Sequence, residues 1–113
     1  MRYLIIIITI FSFSCGVDEA EFIITSKVLG IKSYGSPTVT ITVKNIGNKT
    51  GYNVSCDVQA KRGNTIVDAG FAYFVNGGSI QPNESAIDEA IFFDLNSHSD
   101  YDRLEYKLSW LER

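Results

Sequence analysis

Few residues in this chain could do covalent chemistry. A nucleophilic mechanism needs a thiol or hydroxyl beside a base, and histidine is the usual base. The 113 residues include two cysteines and one histidine. Cys56 lies in an alternating stretch that points it toward a core, whereas His98 lies in a polar loop, so the pattern keeps them apart. A buried structural thiol is the expected role of Cys56. Asp88 and Glu89 are adjacent, and on a strand they point to opposite faces, so they cannot form the facing carboxylate pair of a glycosidase. The expectation is a protein that is not an enzyme and uses no cofactor.

Metal chemistry has one candidate. From Asp94 to Glu105, the residues Asp94, Asn96, Asp100, Asp102 and Glu105 fall at the first, third, seventh, ninth and twelfth places of an EF-hand count. The sixth place is Ser99 where an EF-hand has the glycine of its sharp turn, and the fifth is His98. The expected structure is a solvated loop with a helical turn capped by Ser99 and no metal, which leaves Asp94, Asn96, Asp100 and Glu105 as the set to test.

These residues must be positioned by strands. From residue 22 onward Val, Ile, Thr, Phe and Tyr alternate with polar residues between turn signals. Strands are expected over 22–32, 38–46, 52–61, 66–75, 85–95 and 104–112, with a seventh if the first bends near Gly30. The predicted fold is an all-β, immunoglobulin-like antiparallel sandwich of six to seven strands. Val39, Ile41 and Val43 should face its core, as should Tyr52, Val54, Cys56, Val58 and Ala60.

Parity in the next two strands is read from their large side chains. Val67, Ala69, Phe71, Tyr73 and Val75 are assigned to the core, as are Ile87, Ile91, Phe93 and Leu95. That leaves Phe74, Phe92, Ala72 and Ala90 facing outward as a candidate partner patch for another envelope protein or for self-association. It also carries Glu89 inward, where a carboxylate needs an edge position or a Lys or Arg partner.

The formal net charge is −3, with 45% apolar and 20% charged residues, and no basic run of the kind nucleic-acid binding requires. Charge is nevertheless segregated. Residues 26–62 hold six Lys/Arg against Asp57 alone, and residues 84–105 hold seven Asp/Glu against Arg103 alone. Neutralisation between neighbouring strands is expected, the alternative being a dipolar surface that orients a partner.

The N-terminus carries an address. Leu4 to Phe13 is an apolar run of ten residues after Met1 and Arg2. At roughly 1.5 Å per residue it reaches about half of a bilayer core, so it reads as the apolar region of a secretion signal. Ser12-Phe13-Ser14-Cys15-Gly16 resembles a bacterial lipoprotein lipobox of the looser Bacteroidetes type. That resemblance implies removal of residues 1–14, lipid on Cys15 and attachment to the outer membrane. Residues 15–21 would form a tether, and 22–113 the domain. Asp18, Glu19 and Glu21 resemble the acidic signal that exports some such lipoproteins to the cell surface rather than leaving them on the periplasmic face.

A second resemblance covers roughly residues 22–111. Val43-Lys44-Asn45-Ile46-Gly47, Gly63-Asn64-Thr65-Ile66-Val67 and Ile80-Gln81-Pro82-Asn83-Glu84-Ser85 resemble strand ends and turns of the immunoglobulin-like FxLYD and CARDB-type domains of bacterial envelope proteins. Cys56-Asp57-Val58-Gln59-Ala60 stands where the FxLYD signature would be. The resemblance implies a non-catalytic module that binds protein or serves as an accessory part of an assembly. A carbohydrate-binding sandwich is the alternative, and it would need Tyr and Trp on one open face.

Overall fold

The computed structural model describes residues 18–112. Its strands are β1 (Phe22–Ile31), β2 (Pro37–Asn45), β3 (Gly51–Arg62), β4 (Thr65–Tyr73), β5 (Ser79–Ile80), β6 (Ser85–Ile91) and β7 (Arg103–Leu111). They form two antiparallel sheets, a three-stranded one ordered β1-β2-β6 and a four-stranded one in which β3 pairs with β4, β5 and β7. This is the expected β-sandwich, although its seventh strand is the short β5 rather than a bend at Gly30.

Alternation in the central strands follows from burial between the sheets. Val39, Ile41 and Val43 of β2 meet Val54, Cys56, Val58 and Ala60 of β3 in one core, all fully buried. Leu104, Tyr106, Leu108 and Trp110 of β7 pack half-buried against it, and the Trp110 ring lies 5.2 Å from that of Phe22. Tyr52 is only half-buried, because the β3–β7 register shifts between Tyr52 and Ser55 and Asn53 between them has positive φ.

One end of the sandwich is organised by a buried amide. Asn45 accepts the N–H of Gly47 at 2.9 Å and of Glu21 at 3.3 Å, and its Nδ2 donates to the carbonyls of Lys49 and Ile80. Those bonds draw the segment before β1 onto the β2–β3 turn. Asn48 and Lys49 donate to the Glu19 carbonyl, Ile46 donates to that of Glu21, and Ala20 is buried in the core. The ordered domain therefore starts at least four residues before Phe22. Gly47 has to be glycine here, since a Cβ would sit 2.2 Å from the Glu19 carbonyl oxygen.

The opposite end is covered by the segment between β6 and β7. Its 3-10 turn, His98–Asp100, is capped by Ser97 rather than Ser99: Ser97 accepts the Ser99 N–H, and Asp100 returns the bond to the Ser97 N–H. Arg62 donates to the carbonyls of Ser99 and Asp100, and Arg103 donates to that of Gly63.

Candidate binding surface

The two edge strands that face each other across the sandwich, β4 and β6, invert the parity expected from their large residues. Phe74, Phe92, Ala72 and Ala90 are each fully buried, so the patch expected from them does not exist. In β4 the cause is a bulge. Ala60 pairs with Asp68 but Lys61 pairs with Ile66, so Val67 is the extra residue and every side chain beyond it changes face. In β6 the cause is space. Gly70 comes so close to β6 that a Cβ there would lie 3.1 Å from the Ala90 Cβ and 3.2 Å from the Ile91 carbonyl oxygen. Beside Gly70 the space between the sheets takes Ala90 and the flat Phe92 ring, and the branched residues of β6 are displaced outward.

Two aspartates close this side of the sandwich. Asp88 on β6 accepts the N–H of Tyr73 on β4 at 2.8 Å. Asp68 on β4 accepts the N–H of Asp94, just past β6, at 2.9 Å, together with that of Ala69. Edge donors that could template another strand are thus consumed by carboxylates, one of the ways natural sheets blunt an edge.

What lies outside is apolar. Ile87 is 65% and Phe93 71% exposed, and Phe71, Tyr73 and Val75 are open as well. The Phe71 and Tyr73 rings stack at 6.0 Å, and the Tyr73 hydroxyl is bonded to the Asn53 side chain. Phe71, Ile91 and Phe93 line one shallow depression together with Asp57 and Glu89, and Tyr73, Val75 and Ile87 line the next together with Asn76 and Asp88, so apolar side chains run along the β4–β6 seam with carboxylates set among them. The sequence carried one sign of this arrangement. Glu89 shares the parity of Ile87, Ile91 and Phe93, and a carboxylate marks the wet face. In the structure Glu89 is half-exposed and bound to Lys32 at 2.6 Å, the partnered state expected of it. The same carboxylate holds the Lys32 ammonium above its ordinary pKa, chiefly through the hydrogen bond.

Other candidate residues are engaged elsewhere. Cys56 is buried as expected, and burial pushes its thiol up to about 11. His98 bonds the Gly30 carbonyl through Nε2 at 2.8 Å and the Tyr101 hydroxyl through Nδ1 at 2.6 Å. A carbonyl only accepts, so Nε2 carries a proton. Both ring nitrogens therefore have partners other than Cys56.

The loop candidates do not converge either. The Asp100 carboxylate accepts the N–H groups of Asn96 and Ser97. Glu105 is held by Lys61 at 2.9 Å and Arg103 at 3.0 Å, and these hydrogen bonds lower its pKa. No cluster of three or more His, Cys, Asp or Glu suited to a metal occurs among the described residues. Cys15 lies outside the described residues. Of the acidic residues after it, Asp18 accepts from the Asn48 side chain, and Glu19 donates its N–H to the same amide. No helix among the described residues is long and apolar enough to cross a membrane.

No protein-family model and no curated protein matches this chain. Among solved structures it is similar to DesR, a β-glucosidase from Streptomyces venezuelae in complex with D-glucose, with TM-score 0.48 and 17% identity. The match covers 85% of this chain and 16% of that one.

Proposed function

We propose that this chain is a lipid-anchored, non-catalytic envelope protein whose sandwich binds protein through the β4–β6 seam. The observation that carries the proposal is the row of exposed Phe71, Tyr73, Ile87 and Phe93, with half-buried Ile91 beside them and carboxylates among them. Single exposed apolar residues are common on soluble proteins, but several gathered along one seam and rimmed by polar groups are characteristic of interaction surfaces. Aromatic rings locked by stacking lose little side-chain entropy on docking, which suits them as anchors.

Anchoring through lipid on Cys15 is supported by the apolar run and small residue before it. Asp18 is the third residue after Cys15, a span of at most about 11 Å, so the end of the sandwich built around Asn45 would stand close to the bilayer. The seam then runs up the side of the domain, and Asp18, Glu19 and Glu21 fit export to the cell surface. The similarity to FxLYD and CARDB-type modules supports the same role.

One experiment addresses both parts. The wild-type chain, extracted from membranes in mild detergent, should migrate in a complex larger than a monomer. Phe71→Ser with Phe93→Ser should keep its melting temperature and migrate as a monomer, and Cys15→Ser should move the protein to the soluble fraction and lose incorporated palmitate. A double variant that retains the complex contradicts binding through the seam, and unchanged fractionation of Cys15→Ser contradicts the anchor.

A further inference from the structure

The seam has a counterpart on the same molecule. β1 and β6 are the opposite edges of the three-stranded sheet. β1 also exposes apolar side chains, beside Thr25, Ser26 and Lys27: Val28, Leu29 and Ile31 are each more than half exposed, and Tyr34 in the turn after it is exposed too. The two edges carry opposite charge. Residues 22–56 contain four lysines and no acid, and Lys27 and Lys32 are the charged residues of β1 and its following turn. Residues 63–102 contain seven Asp/Glu and no Lys or Arg, with Asp68, Asp88, Glu89 and Asp94 along the seam. The internal Lys32–Glu89 pair already joins these two charge types across β2.

We infer that the partner at the seam is a second copy of this chain, the β1 edge of one copy packing against the β4–β6 seam of the next. The inference rests on the seam being a binding face. Charge favours this arrangement over the alternatives: seam against seam sets carboxylates against carboxylates, and β1 against β1 brings two lysine-bearing edges together, both repulsive. Because the two faces differ, the contact is heterologous and can propagate into a row or close into a ring. Membrane geometry agrees. Both faces run along the strands, so copies standing side by side keep their Asn45 ends, where the chain enters from Cys15, on one side. All anchors then reach the same bilayer.

Complementary blocked variants test this directly. Leu29→Asp removes the apolar β1 edge and leaves the seam intact; Phe93→Asp does the reverse. Both side chains are more than half exposed, so both variants should melt like the wild type. The full chain in nonionic detergent should grow in protein mass with concentration, more weakly at high salt. Each variant alone should be a monomer, and their mixture should form a one-to-one heterodimer, because the remaining free faces both carry a new aspartate. A wild type that stays monomeric at every concentration overturns the inference, as does a mixture that stays monomeric. If the wild type is monomeric yet residue 93 captures a different polypeptide in cells, the seam remains a binding face and self-assembly alone falls.

Discussion

The Asp88 carboxylate on β6 accepts the backbone N–H of Tyr73 on β4 at 2.8 Å, a single bond that ties the edge of one sheet to the edge of the other. It fixes the spacing of the strands whose outer faces carry the apolar strip. Asp88→Ala leaves the Tyr73 N–H without this acceptor, and hydrogen bonds to charged groups contribute about 1.5–3 kcal/mol. A loss of that order in urea-melt stability is expected, with faster hydrogen exchange at the Tyr73 amide. Unchanged stability and exchange would show that the sheets are held apart from this bond.

Asn45 should be far less replaceable than a turn asparagine. Its amide oxygen accepts two backbone N–H groups and its nitrogen donates to two carbonyls, with no exposure to water. Asn45→Asp keeps the shape and the acceptors but sets a carboxylate against the Lys49 and Ile80 carbonyls. Unpaired buried polar groups cost about 1–3 kcal/mol each, so the variant should lose several kcal/mol and release residues 18–21 from the turn. Limited proteolysis near Glu19 and Glu21 reads that release, and a variant as resistant as the wild type would contradict it.

Cys56 gives stability a pH dependence with a defined sign. Its thiol moves from 9.0 to about 11 because burial disfavours the thiolate. Below pH 9 the thiol is neutral in folded and unfolded chains alike. Between pH 9 and 11 the unfolded chain loses the proton while the folded chain keeps it, so stability falls as pH rises, by about 2–3 kcal/mol over the window. Comparing wild type with Cys56→Ala by urea titration at pH 8 and pH 11 isolates this loss from that of the tyrosines. Parallel losses in the two proteins would refute it.

Most of the fold was legible because β2 and β3 sit in the middle of their sheets, where alternation is unbroken between the sheets. The outer strands were harder for two physical reasons. The Val67 bulge is one inserted residue with no composition of its own, and it flips every side chain beyond it in β4. In β6, hydrophobicity ranks Ile87, Ile91 and Phe93 above Ala86 and Ala90, but the close approach at Gly70 admits only the small ones. In the sequence Asn45 reads only as the end of the 38–46 strand, because its burial depends on Glu21, Lys49 and Ile80, which sequence spacing does not bring together.

The inverted parity has its own stability test. Phe74→Ser and Phe92→Ser each empty a fully buried site and should cost about 3–5 kcal/mol. Melting temperatures near wild type would return both rings to the surface.

The most direct test of function is site-specific photo-crosslinking in living cells, with a photoreactive phenylalanine at position 93 on the seam and at position 109 on the outer face of β7. Position 93 should yield a discrete protein adduct, and one of twice the chain's mass if the partner is a second copy; position 109 should yield none. Absence of an adduct at position 93, or the same adducts from both positions, would contradict a binding face on the β4–β6 seam.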